Sequence, residues 1–198
     1  NVSVGNLSMR LNQGGRFNIA MGCGALYSNV SGDNNTALGH LSLFYNTASN
    51  NTAVGFCSLN SNTTGTYNTA VGTSALVNNT IGTNNTAVGV QSLRENTTGN
   101  RNTAVGFQSL VVNTIGQNNT AVGTSALQSN TIGSANVAIG LNSLLSNTTG
   151  SNNSAFGHYA LRNNTIGINS AAFGYRALRL NVTGNRNTAV GKSAMENN

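Results

Sequence analysis

Two histidines, three carboxylates and two cysteines are the side chains of this 198-residue sequence that a general base, its orienting acid or a soft-metal site would draw on first. His40 and His158 have the imidazole of a general acid or base, Asp33, Glu95 and Glu196 could orient one, and Cys23 and Cys57 could act as thiolates. They are scattered singly, and no Cys/His group has metal-ligand spacing. Gly191-Lys192-Ser193 imitates the end of a phosphate-binding loop, but the earlier glycine that such a loop needs falls at Arg186. Gly22-Cys23-Gly24 is a lone Gly-x-Gly. Whether any of these groups meet depends on the elements that carry them.

Those elements are copies of one word. Asn68-Thr69-Ala70-Val71-Gly72 returns in slightly changed form along the chain, with its glycine at Gly5, Gly22, Gly39, Gly55, Gly72, Gly89, Gly106, Gly123, Gly140, Gly157, Gly174 and Gly191. The spacing is 17 residues throughout, except 16 between Gly39 and Gly55. The copies begin at Asn1, Asn18, Asn35, Asn51, Asn68, Asn85, Asn102, Asn119, Asn136, Asn153, Ser170 and Asn187, so residues 1–198 read as a single repeat array. Counted from each copy's first residue, position 3 is Ala except at Ser3, position 8 is Ser or Ala, position 9 is Leu or Met, and position 12 is always Asn.

A unit this short, with glycine at positions 5 and 15, cannot hold the helix pair of an α-solenoid. It predicts an all-β solenoid, a β-roll or β-helix, of twelve coils of about 17 residues. Two short β segments are expected per coil, on Thr-Ala-Val and near Asn-Thr-Ile/Thr, each ended by its glycine. The Ser/Ala-Leu pair between them is expected to turn a corner, and positions 4 and 9 to fill a narrow core.

Stacking then separates the reactive groups. With coils about 4.8 Å apart, His40 and His158 lie more than ~30 Å from each other. Cys23 and Cys57 lie roughly 10 Å apart along the axis, beyond the ~7 Å that a disulfide spans. The expectation is no catalytic residue, no metal site and no cofactor. The formal charge of +6 comes from nine cations against three anions, a scarcity of acids that makes a weak nucleic-acid signal. No apolar stretch is long enough to insert into a membrane.

Asparagine is expected to stabilise the stack instead. Asn12, Asn29, Asn46, Asn62, Asn79, Asn96, Asn113, Asn130, Asn147, Asn164 and Asn181 would lie above one another, each amide bonding to the next coil's. Position 1 offers a second column, weakened at Ser170. The third copy, Asn35 to Asn50, lacks one residue and its turn glycine, which predicts a local irregularity. The register runs from Asn1 to an unfinished last copy, so a segment of a longer fibre is expected, or chains that stack end to end.

Function is sought in the variable positions 6, 7, 10 and 11. They carry Phe56, Phe107, Leu141, Val90, Val111, Val112, Leu145, Tyr159 and Tyr175, a sticky surface that predicts lateral burial against further copies of the chain. Five of the nine cations fall in the last three copies, and Glu196 is placed to pair with Arg179. Tyr159, Arg162, Tyr175 and Arg179 there are the candidate glycan-binding residues. The column Thr36, Thr52, Thr69, Thr86, Thr103 and Thr120 raises a weaker ice-binding reading. Asn-x-Ser/Thr words are generated by the repeat itself and would bear glycans only on a secretory route.

The word NTAVGxxALxxNTxGxxN resembles repeats of tail fibres and related surface fibres of phages and large algal viruses, some of which precede a self-cleaving chaperone domain. Its TAVGxxAL core is also similar to the coils of the YadA-type trimeric adhesin head, whose period is shorter. The resemblance covers all twelve copies. It implies a non-enzymatic shaft segment of an extracellular, cell-surface or virion fibre, self-associating, with cell-surface glycans as the alternative partner.

Overall fold

The computed structural model describes all 198 residues. Each coil contributes one three-residue strand: β1 (Val2–Val4), β2 (Ile19–Met21), β3 (Thr36–Leu38), β4 (Thr52–Val54), β5 (Thr69–Val71), β6 (Thr86–Val88), β7 (Thr103–Val105), β8 (Thr120–Val122), β9 (Val137–Ile139), β10 (Ser154–Phe156), β11 (Ala171–Phe173) and β12 (Thr188–Val190). They form one parallel sheet in chain order. Like residues pair throughout, as in Thr69↔Thr86, Ala70↔Ala87 and Val71↔Val88. The chain is therefore an all-β parallel solenoid with about 17 residues per turn and no helix.

Side chains in a strand alternate between faces, and alanine at the middle position faces inward, fully buried from Ala20 to Ala172. Position 4 must then face outward together with position 2. The expectation that position 4 fills the core is corrected: Met21, Val71, Ile139, Phe173 and Val190 are exposed. The interior consists of the position 3 alanines, the position 8 Ala or Ser, and the position 9 leucines, with asparagines closing its sides. Alanine is small enough to let the opposite wall approach.

A second correction concerns the expected strand near Asn-Thr-Ile/Thr, which does not form. Pairing between coils there converges on the position 13 carbonyl, which also takes longer bonds from positions 14 and 15, as Thr97 O does from Ile81 and Gly82 N–H at 3.2 and 3.3 Å. Thr80 N–H donates to Thr97 O at 3.0 Å, and Thr80 Oγ1 donates to the same carbonyl at 3.0 Å. Beyond it the backbone bends at once around the position 15 glycine, because the amides of positions 1 and 12 both hold that glycine's carbonyl. For Gly82 these are Asn68 Nδ2 at 2.8 Å and Asn79 Nδ2 at 3.0 Å.

The corners use left-handed backbone without glycine. Thirty-four non-glycine residues have φ between 47° and 63°, and they occupy positions 7, 9 and 17 of each coil, as Ser74, Leu76 and Asn84 do in the fifth. None of the thirty-four is Val, Ile or Thr. A β-branched side chain is a severe misfit at positive φ, whereas unbranched Cβ atoms are tolerated when the surroundings fix the conformation. The fixing is visible at Leu76, whose N–H donates to Ser92 O at 3.0 Å and whose side chain is fully buried. Position 9 is Leu or Met because it must be large, apolar and unbranched at Cβ.

The position 5 glycines face a harder limit. Gly72 has φ 134°, and a Cβ built there would lie 2.5 Å from Gly89 O of the next coil. Both the dihedral and the contact forbid a side chain.

Candidate functional site

The position 12 asparagines form the expected column. Asn79 Nδ2 donates to Asn62 Oδ1 at 2.8 Å, Asn96 to Asn79 at 2.8 Å, Asn113 to Asn96 at 2.9 Å, and the pattern continues through Asn130, Asn147 and Asn164 to a longer bond at Asn181. Every donor is on the later coil and every acceptor on the earlier. The remaining amide N–H reaches the position 15 carbonyl of its own coil, so these buried groups are satisfied twice. Position 1 makes a second column by another route: the backbone N–H of Asn85 donates to Asn68 Oδ1 at 3.0 Å. Ser170 keeps an acceptor for Asn187 N–H at 3.2 Å but has no amide to offer the carbonyl of Gly184. That is the expected local weakening.

The irregular third coil interrupts the first column once. One residue short, it presents Ala48 where other coils have glycine, and Asn46 Nδ2 donates to Ala48 O at 2.8 Å rather than to Asn29. Asn29 Oδ1 is left buried without a partner, although Asn46 Oδ1 still accepts from Asn62 at 2.6 Å. The strands ignore the deletion, since Thr36 pairs with Thr52 in register.

Outside, charge is distributed unequally. No Asp, Glu, Lys or Arg occupies positions 2, 4, 13 or 14 in any coil; all twelve lie at positions 6, 7, 10, 11, 16 and 17. The outer sheet face is thus an uncharged strip along the whole rod. It carries the half-buried Thr36 to Thr120 column beside the apolar position 4 column, in which Phe156 and Phe173 stack with centroids 4.9 Å apart.

The last three coils gather a polar cluster on the corner of positions 6, 7 and 10. The Arg162 guanidinium lies 5.4 Å from the centre of the Tyr159 ring, and that of Arg176 lies 4.9 Å from Tyr175. His158 joins them, 3.9 Å from Tyr159 and 5.6 Å from Tyr175. Arg179 Nε is paired with Glu196 Oε1 at 2.6 Å, with Arg176 Nη1 at 4.0 Å from the same oxygen. A hydrogen bond from Ser193 first, with Arg179 and Arg176 adding to it, holds the Glu196 carboxyl below its ordinary pKa against an opposing effect of desolvation that ranks second to the Ser193 bond.

Of the four candidate glycan residues, Tyr159 and Arg162 meet in this cluster with Tyr175, while Arg179 is engaged by Glu196. Sequence reasoning left out His158 and gave Arg176 no part in binding. Their signal is geometric: position 7 of one coil neighbours position 10 of the next, as Gln108 and Gln128 also do at 3.0 Å. Four buried side-chain polar atoms lack a partner in the chain, and three are here: His158 Nε2, Arg162 Nε and Arg176 Nε.

The other reactive groups stay apart. His40 stacks on Phe56 at 5.4 Å, and no three His, Cys, Asp or Glu side chains converge. Both cysteines are free thiols, and burial pushes that of Cys57 up. Comparison with family models, with curated proteins and with solved structures finds no match to this chain.

Proposed function

We propose that this chain is a stiff, non-enzymatic shaft segment of an extracellular or virion fibre, assembled laterally from several copies. The observation that carries this reading is the uncharged outer sheet face, unbroken over twelve coils and lined by exposed Val, Ile, Met and Phe. An apolar strip of that length is unusual on a free surface and is suited to burial against another copy. Rigidity comes from the in-register sheet and the amide columns. Electron microscopy and sedimentation of the intact chain test it. Multi-chain rods are expected, and Val71→Lys with Val105→Lys is expected to release single chains, since both residues face outward and their replacement leaves the coil intact. A monodisperse single-chain species from the unaltered protein would end the proposal.

A second reading, binding of acidic glycans at the last three coils, is favoured by the Arg162 and Arg176 guanidiniums, each beside a tyrosine ring and each with an Nε–H that has no partner in the chain. Each guanidinium carries further N–H groups at its outer end, and a carboxylate or sulfate would accept from them. Arg162→Ala with Arg176→Ala is expected to abolish retention on immobilised acidic glycans, with Arg179→Ala having a lesser effect because Glu196 already occupies that guanidinium. Absence of binding by the intact chain would sink this reading.

A further inference from the structure

The rod has a groove of about 340 Å³, away from the C-terminal cluster, across coils 6 to 8 on the side of positions 7, 10 and 11. Its cause is a local change of side-chain length. Coil 7 carries Val111 and Val112 at positions 10 and 11, between Arg94 and Glu95 of coil 6 and Gln128 and Ser129 of coil 8. Two short branched side chains beside the longer Arg94, Glu95 and Gln128, with the still shorter Ser129 next to Val112, leave a notch with an apolar floor.

The backbone ladder between coils lapses at the same place. In coils 1 to 11 the position 11 N–H donates to the position 10 carbonyl of the following coil, as Glu95 does to Val111 O and Ser129 does to Leu145 O, both at 3.0 Å. Val112 is the one exception, with no such bond to Gln128. The walls, by contrast, are held firmly. Gln108 Nε2 donates to Gln91 Oε1 at 2.8 Å, and Gln128 Nε2 donates to Gln108 Oε1 at 3.0 Å, so the amides stand as a fixed row. Arg94 Nε is paired with Glu95 Oε1 at 2.6 Å, which cancels its charge locally.

We propose that this groove is a binding subsite for one ring of a neutral saccharide. A pyranose has an apolar C–H face, which Val111 and Val112 would carry, and an equatorial rim of hydroxyls that both donate and accept. Primary amides do the same, and Gln108 and Gln128 each retain donor or acceptor capacity beyond the bonds they make to each other. Small-molecule sites combine such an apolar floor with a few fixed polar groups, at volumes of roughly 300–1,000 Å³. A carboxylated or sulfated ring is disfavoured, because the Arg94 charge is already met by Glu95. The inference is independent of the shaft reading and differs from the acidic-glycan reading in both place and ligand charge.

Binding of the intact chain to immobilised neutral and acidic oligosaccharides tests it, alongside Gln108→Leu with Gln128→Leu, and Val112→Tyr to fill the notch. Circular dichroism and thermal melting confirm that each variant keeps the solenoid. Retention on neutral glycans is expected to fall at least tenfold in both groove variants and to persist in Arg162→Ala with Arg176→Ala. The proposal is overturned if the intact chain retains no neutral glycan, or if the groove variants bind it undiminished. Retention of acidic glycans alone, lost with the arginine variants, would overturn the groove while sustaining the C-terminal site.

Discussion

The interior columns and the variable corner obey different rules although they belong to the same coils. Inside, each residue answers to the coil below and the coil above: Asn113 donates to Asn96 and accepts from Asn130, at 2.9 and 2.8 Å. A substitution there leaves two neighbours unmatched, so the same residue recurs. At positions 6, 10 and 11, and at position 7 within the limit that excludes β-branched residues, no single partner is imposed from coil to coil, and apolar, aromatic, amide and charged side chains replace one another. The solenoid separates a stacking code from a display surface, in keeping with repeat proteins whose stability is a sum of unit and nearest-neighbour contributions.

The sharpest way to break that division is Gly106→Ala. Its φ of 132° and a Cβ 2.6 Å from Gly123 O combine backbone strain with overpacking, and the loss should be about 3 kcal/mol or more. Thermal melting and hydrogen exchange localised to coils 7 and 8 would measure it. Within the amide column, Asn113→Ala should cost about 2–4 kcal/mol by unpairing groups on both sides. Asn29→Ala should cost less by about 1 kcal/mol, since Asn29 Oδ1 has no partner to lose. Equal losses at the two sites would show that the column does not act as a chain of bonds.

Smaller changes probe the left-handed corner. Leu110 sits at φ 49°, so Leu110→Ile should destabilise by about 1–3 kcal/mol, while Leu110→Met stays within about 1.5 kcal/mol. Denaturant melts of the pair check this, and equal behaviour would refute the account of why position 9 avoids β-branching. The least effect is expected at the corner itself. Because the Glu196 carboxyl has a lowered pKa in the folded chain, its contribution is present above the unfolded carboxylate range and fades as pH falls through the folded value. Arg179→Ala should reduce that acid dependence of melting without abolishing it, because the Ser193 hydrogen bond remains, and should change little at neutral pH.

The period, the coil count, the parallel stack and the amide column were legible because each imposes one residue type at one spacing. The orientation of position 4 was not. Ala70 and Val71 are both apolar, and a three-residue strand contains too little alternation for hydrophobicity to show which of them points in. The missing second strand was equally hidden, because Asn-Thr-Ile has strong β character in isolation and its bend is imposed by amides from positions 1 and 12. The left-handed corners did leave a trace, the complete absence of Val, Ile and Thr from positions 7, 9 and 17, which a count by repeat position would have exposed. At the C-terminal cluster, the Arg179–Glu196 pair could be read from shared position 10 in successive copies. The role of position 7 beside the next coil's position 10 required the backbone.

The one-way sense of the asparagine column gives the rod a direction. Every coil in the column except the third turns an amide hydrogen toward earlier residues and its amide oxygen toward later ones. Two surfaces cut from such a rod fit only when an oxygen row meets a hydrogen row; like rows would set acceptor against acceptor. Any union made by laying coil on coil is therefore head to tail, a contact that does not close on itself and can be repeated without limit. The asparagine that locks one turn to the next thus also sets the polarity with which turns from different molecules can be joined.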